Sequence, residues 1–366
     1  MEELRAYRDK TLVEELAGAI TDTSRTPAVF MEVCGTHTMA IQRYGLRSLL
    51  PAHTELISGP GCPVCVTETG YLDEAIAYAR RDEVTIATFG DMLRVPGSES
   101  TLERERARGA DVRVVYSSLE AVALARESPE RQVVFLGIGF ETTAPTTAAA
   151  VRRASREGLG NFLVLSAHKL MKPAMSALME AGTAIHGYLC PGHVSVVTGT
   201  AMYEELLSRY GVSCVVAGFE PVDILRGVYL LVRSIEEAAP TVAIAYRRAV
   251  TAAGNRRAQE MMREVFEPCD TRWRGIGRIP HSGLDLREAY AGHDARRVAP
   301  VEVPEAREPD GCICGAVLTG AARPQECRLF AVECTPQTPV GACMVSSEGT
   351  CAAYYRYGAA GEVARG

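Results

Sequence analysis

The chain has 366 residues, 47% of them hydrophobic and 23% charged, the balance of a globular protein with room for two or three cores. Its formal net charge of −6 argues against a nucleic-acid partner, which demands a basic face. No apolar run approaches the roughly 20 residues of a membrane-spanning helix, so no membrane partner is expected.

The N-terminal stretch MEELRAYRDKTLVEELAGAI is amphipathic, carries charges of both signs and lacks the apolar core of a signal peptide. A helix ending near Thr21 and a cytoplasmic location are expected. Pro27 then introduces the apolar run AVFMEV, which reads as a buried strand. Strand-like runs follow at 55–58, 84–89, 112–116, 132–138, 161–166, 186–189 and 213–218, with helical stretches at 70–81, 146–157, 172–181 and 201–210. Such alternation implies parallel sheets covered on both faces.

An internal echo runs through this region. The stretch beginning GPGCPVCVTETG aligns with CPGHVSVVTGTA, and the strand ends MEVCGTH and LGIGFET form a second pair. The expected fold is α/β, with two similar parallel-sheet, Rossmann-like halves facing a cleft and loops at the carboxyl ends of both sheets lining it. The boundaries read from the sequence are a first α/β domain over 1–125, a repeat-related second over 126–254, and a cysteine-rich region over 255–366 with little sheet of its own. Residues 228–256 read as two helices broken near Pro240.

Four strand-end segments carry candidate chemistry. Cys34, followed by Gly35, Thr36 and His37, is a thiol that can serve as nucleophile or soft metal ligand, or be a half-buried cysteine beside a loop histidine. Cys62 and Cys65 form a C-x-x-C pair inside GPGCPVC, able to close a disulfide or to grip a metal. Thr67 or Thr69 is placed to cap the next helix, whose dipole lowers a thiolate pKa. The absence of a second C-x-x-C at zinc-ribbon distance favours a redox-active dithiol over structural zinc. In GIGFETTAP, Thr142 and Thr143 can cap a helix and Glu141 can bond a ligand or orient a thiol; a solvated N-capping turn is the plain alternative. His193 in PGHVS is placed to face the first half across the cleft as acid, base or ligand, and His168 with Lys169 ends another strand.

Twelve cysteines in a cytoplasmic chain do not suggest structural disulfides. Six of them, Cys312, Cys314, Cys327, Cys334, Cys343 and Cys351, fall close together. Thiolates suit iron–sulfur clusters, and a [4Fe–4S] centre needs four, so six candidates exist for four places. A zinc site is the alternative, although the spacings match no common zinc module. Cys190, Cys214 and Cys269 lie outside the motifs and read as ordinary thiols.

Taken together, CGTH, GPGCPVC, GFETTAPT, PGHVS and the tail GACMVSSEGTCAAYY resemble the HypD family of hydrogenase maturation proteins, over about residues 27–358. The resemblance implies a metallocentre-assembly scaffold rather than an enzyme in the usual sense. With a small HypC-type chaperone, such a scaffold holds the Fe(CN)2CO unit of [NiFe]-hydrogenase. It implies iron bound at Cys34 with help from His37 in orienting or deprotonating the thiol, and a redox pair at Cys62 and Cys65. It further implies a [4Fe–4S] cluster whose family spacing best fits Cys312, Cys327, Cys334 and Cys351, with Cys314 and Cys343 as substitutes. A HypE-type partner would donate cyanide, and the hydrogenase large subunit would receive the product. The competing readings are a stand-alone cluster-dependent thiol–disulfide oxidoreductase and a zinc-stapled α/β binding protein.

Overall fold

A computed structural model describes residues 6–358. Residues 1–5 of the expected amphipathic N-terminus and 359–366 of the cysteine-rich region lie outside the described residues. The N-terminal helix runs from Lys10 to Thr23, with Asp9 capping it by accepting the Leu12 amide at 3.0 Å.

Among the described residues, nine strands form two parallel sheets. In chain order they are β1 (Ala28–Glu32), β2 (Thr54–Ser58), β3 (Val84–Thr88), β4 (Val112–Val114), β5 (Gln132–Gly137), β6 (Phe162–Ser166), β7 (Gly187–Pro191), β8 (Ser213–Ala217) and β9 (Val242–Ile244). Several are largely apolar and buried on both faces: every residue of β3, β6, β7 and β8 is buried. That is the pattern of strands covered by helices above and below. The first sheet has the order β2-β1-β7-β8-β9 and the second β4-β3-β5-β6, so the expected α/β architecture of two parallel-sheet halves with a cysteine-rich region holds.

The sheets divide the chain differently from a cut at 125/126. β1 pairs with β7, Phe30 opposite Gly187, and β3 to β6 form a unit inserted between β2 and β7. Each of the segments 1–125 and 126–254 therefore contributes strands to both sheets. The aligned GPGC and PGHV loops, read as partners across a cleft, instead follow β2 and β7 in one sheet, on either side of β1. Local similarity encodes a strand–loop–helix unit, whereas strand neighbours are chosen by long-range packing, which the repeat does not record.

The helices at Thr69–Ala79, Ala144–Glu157, Met171–Glu180 and Ala201–Tyr210 fall where the apolar period placed them. Two departures follow Arg226. The helix Pro221–Glu236 gives way after Pro240 to edge strand β9, with Val242 opposite Cys214, and only then does helix Arg256–Val265 begin. The Gly-, Pro- and Arg-rich stretch folds as an antiparallel hairpin, β10 (Phe266–Trp273) with β11 (Gly277–Leu286). Gly275 at φ 72° makes its turn, a conformation that costs glycine nothing.

The C-terminal region fills the space between the sheets. Ala342 and Val345 pack into the core of the second sheet, while the neighbouring Cys343 and Met344 pack into that of the first. Arg94, after β3, pins the region by donating to the carbonyls of Pro336 at 2.9 Å and Val345 at 3.3 Å.

Candidate functional site

Parallel strands end on one edge, so the first sheet sets the turns after β1, β2, β7 and β8 in a row. The turn after β1 carries Cys34, which precedes the helix Gly35–Arg43 as its N-cap. The turn after β2 carries Gly61 and Cys62; the Gly35 amide donates to the Gly61 carbonyl at 3.0 Å, tying the two turns together. A Cβ on Gly61 would lie 2.2 Å from the Cys34 nitrogen, so only glycine allows this approach.

Cys34 is almost wholly buried, and burial pushes its thiol up to about 12. Nearby Glu348 adds to the rise, and the amides of His37 and Thr36 oppose it. His37 is fully buried and drawn down to about 4 by desolvation, so its ring is neutral. Its Nε2 lies 2.8 Å from the Gly218 carbonyl, which fixes that nitrogen as the donor and leaves Nδ1 with its lone pair. Nδ1 is buried without a partner. The ring packs 5.0 Å from Phe219, and Phe219 stacks at 4.0 Å on His193, whose ring is exposed. His37 and His193 thus meet through an aromatic ring within one sheet edge.

The C-x-x-C segment forms a single helical turn, Pro63–Val66, in which the Cys62 sulfur accepts the Cys65 amide at 3.3 Å. Neither threonine caps the next helix: Thr67 donates to the Pro63 carbonyl at 2.8 Å and Thr69 to Glu308 at 2.7 Å. The next helix, Thr69–Ala79, has Glu68 in its N-cap position, so Thr67 lies before the cap and Thr69 already within the helix.

The tail cysteines converge on this turn. Cys312, Cys314, Cys327, Cys334 and Cys351 line one narrow cavity with Leu329, Phe330, Val317 and Met344 among its apolar walls. The Cys312 and Cys314 sulfurs are 3.2 Å apart. A Cβ at Gly341 would fall 2.6 Å from the Cys314 sulfur and 2.7 Å from that of Cys312, so the main chain itself forms one wall. Cys343 is buried in the same cluster as Cys65 of the C-x-x-C turn and as Cys314 and Cys351 of the cavity. These thiol neighbours draw its pKa down, while burial raises that of Cys65. Among the described residues no three His, Cys, Asp or Glu side chains converge as ligands of a single ion. A thiol-lined, apolar cavity with a glycine wall fits a sulfur-ligated cluster, with soft donors available at Cys312, Cys314, Cys327, Cys334 and Cys351.

Glu141, Thr142 and Thr143 stand apart from Cys34. Thr143 precedes the helix Ala144–Glu157 but makes no side-chain cap; its hydroxyl turns back to the Ile138 carbonyl at 3.0 Å. Gly139, at φ 139°, gives that hydroxyl its space. Thr142 is half-buried. Glu141 is buried, accepts the Met171 amide at 3.0 Å and lines a separate cavity. His168 and Lys169 are buried in the second half, bonded to Thr147 and to Thr271 respectively.

Glu348 completes the site. It reaches from the C-terminal region to the Thr36 hydroxyl, beside Cys34, and its carboxylate also acts on His193. A lone glutamate in SSEGT carries no spacing signal, and only its closeness to the conspicuous cysteines could have drawn notice.

The family profile described as "HypD: Hydrogenase formation hypA family" matches residues 10–358. The chain is 46% identical to a "Hydrogenase maturation factor HypD" of Rhizobium leguminosarum bv. viciae, covering 98% of this chain and 96% of that protein. It is 46% identical to the protein of the same name from Escherichia coli K12, over 94% and 93% of the two chains. A "Hydrogenase expression/formation protein HupD" of Azotobacter chroococcum is 47% identical, over 98% of each.

Proposed function

The chain belongs to the HypD family, whose general role is hydrogenase maturation, and on that premise we propose that it is the scaffold on which the Fe(CN)2CO unit of [NiFe]-hydrogenase is assembled. The observation that carries this reading is the gathering of thiols. Cys62 and Cys65 of the C-x-x-C turn share one buried cluster with Cys343 and with Cys314, Cys334 and Cys351 of the thiol-lined cavity. The Gly61 carbonyl, next to Cys62, accepts the Gly35 amide, next to Cys34, which ties that cluster to the turn that presents Cys34.

In this reading Cys34 holds the iron cargo. With the thiol near 12 and His37 near 4, transfer of the thiol proton to the imidazole is unfavourable in the closed turn. Incoming iron must displace that proton itself, and His37 orients the turn through Gly218 and offers Nδ1 as an acceptor once iron is present. Burial, to which Glu348 adds, keeps Cys34 protonated until then. Cys62 and Cys65 give up two electrons and two protons when they close to a disulfide. A [4Fe–4S] cluster held by Cys312, Cys327, Cys334 and Cys351 would supply one-electron transfer. Phe330, Leu329 and Met344 exclude water from that cavity. His193, exposed beside Phe219, stands where a partner enters.

A small HypC-type chaperone would complete the iron site, a HypE-type protein would deliver cyanide, and the hydrogenase large subunit would take the finished unit, all in the cytoplasm. No helix among the described residues is long and apolar enough to cross a membrane. The test is anaerobic purification with and without the small chaperone, with iron and acid-labile sulfide assays and an infrared spectrum between about 1900 and 2150 cm−1, where CO and CN− on low-spin iron absorb. Bands there, with iron in excess of sulfide, support the scaffold. A cluster without such bands, even with partners co-expressed, favours a stand-alone thiol–disulfide oxidoreductase.

A further inference from the structure

A buried cation joins the C-x-x-C turn to the segment that carries Cys312 and Cys314. Arg274 stands in the turn of the β10–β11 hairpin, its residue only 5% exposed. Its main-chain amide donates to the Val66 carbonyl at 2.9 Å, and its Nε donates to the Thr67 carbonyl at 2.9 Å. Backbone and side chain thus both grip the exit of the C-x-x-C turn. Its Nη1 donates to Glu308 at 2.7 Å, shortly before Cys312 in the chain. The next residue, Gly275, lies against Gly315, which follows Cys314. A Cβ on Gly275 would come within 2.0 Å of the Gly315 Cα, so the hairpin turn is pressed onto the helix Cys314–Leu318.

The charge of Arg274 is incompletely matched where it sits. The carboxylate bonded to it belongs to Glu308, whose side chain is 56% exposed and keeps much of its water. The guanidinium Nη2 is buried without a partner. The Cys312 thiol is raised by its neighbour Cys314 and by burial, and Arg274 opposes that rise, so its charge is felt at the cavity. Arginine stays charged at any working pH, and a buried cation is costly unless negative charge faces it. A cluster ligated by four thiolates carries net negative charge, and one-electron reduction adds one more.

We propose that Arg274 is a positioning residue for the redox chemistry of this chain, holding the C-x-x-C turn against the cluster region and raising the cluster's reduction potential through its buried charge. This rests on the cluster reading given above. A positive charge in a surrounding of low dielectric favours the state with one more electron, and charge near the sulfurs is a lever on cluster potential. Glu308, of opposite sign, offsets part of the effect. An arginine with a structural role alone would pin the turn and leave the potential where it was.

The test is a redox titration of the full chain, purified without oxygen, with titanium(III) citrate as reductant and the EPR signal of the reduced cluster as readout. Iron and acid-labile sulfide are assayed on the same samples. Arg274→Gln is expected to weaken one-electron reduction about tenfold, a midpoint lower by about 59 mV. Arg274→Lys, which keeps the charge, should stay close to wild type. Glu308→Gln removes the offsetting charge at a half-exposed position and should move the midpoint upward. If Arg274→Gln holds no cluster, Glu308→Gln still decides the matter. An unchanged midpoint in Arg274→Gln or Glu308→Gln at full iron and sulfide, or a lysine variant as low as the glutamine one, would overturn the role of Arg274 and leave the cluster reading standing. Wild-type protein without iron and sulfide would overturn both.

Discussion

The carboxylate of Glu348 accepts the hydroxyl hydrogen bond of Thr36 at 2.6 Å, across 312 positions of sequence. Gly35 makes that contact possible, since a Cβ there would sit 2.6 Å from the Glu348 carbonyl oxygen. The cysteine-bearing region is thereby latched onto the helix that Cys34 caps, and one carboxylate is both fastener and electrostatic neighbour of the thiol.

Glu348→Gln keeps an acceptor for Thr36 and removes the charge. Burial accounts for most of the rise in the Cys34 pKa and Glu348 for the next part, so the variant thiol ionises at lower pH. Alkylation of Cys34 by iodoacetamide, followed across pH by mass spectrometry of its peptide, should shift toward acid. An unmoved profile would show that the carboxylate does not act on the thiol.

Cys34→Ala should leave the fold and the iron–sulfur content as they are while abolishing hydrogenase maturation in a complemented host. The lost sulfur contributes about 1 kcal/mol of packing at most, so melting should change little. Normal maturation in this variant would remove Cys34 from the role of iron holder, whereas a stand-alone thiol reductase would keep its activity.

Cys327→Ala and Cys334→Ala should each give pale protein with low iron and sulfide. Gly341→Ala tests the same cavity without touching a thiol, because its new methyl collides with the sulfurs of Cys312 and Cys314. It should lower iron content and the melting temperature together. Full iron and sulfide in all three would mean that the cluster, if any, sits elsewhere.

Away from the site, Glu105 is held at about 2 by Arg80 first, with Ser100 and Arg108 also contributing. A carboxyl depressed below its unfolded value stabilises the fold fully above about pH 4.5 and loses that contribution as the pH falls through 2. The nominal shift is discounted because Arg80 is half exposed, leaving about 1–2 kcal/mol. Urea unfolding at pH 7 should show Glu105→Gln destabilised by that amount, with the gap closing below pH 3. A gap that persists unchanged at acid pH would rule out the ion pair as its source.

Much of this was legible in the sequence. The apolar runs and their 3.6-residue neighbours located seven of the parallel strands after β1 and the longer helices, because both signals are local. The thiols were legible because cysteine is rare and its spacing is chemistry. The pairing of β1 with β7 was not, since parallel neighbours carry no local mark and the repeat suggested a different partition. The hairpin around Gly275 was hidden by a composition that reads as loop until Trp273 and Ile279 are seen to bury themselves. Cys343 appeared only as a spare ligand, and its place in one cluster with the C-x-x-C and cavity thiols depends on how the tail enters the gap between the sheets.

The pairing of β1 with β7 also sets an order of events during synthesis. Strands β3 to β6 are contiguous from 84 to 166 and can close into a sheet as soon as they are made. β1 and β2, finished long before, have only each other to pair with until β7 at 187–191 arrives to extend their sheet. The segment 312–351 arrives later still, so Cys34, Cys62 and Cys65 remain uncovered on a half-built chain. Their first chance to react with passing oxidants or stray metals thus comes before the tail can shelter them, which makes the interval between β2 and the tail the period when the nascent protein most needs a reducing surrounding.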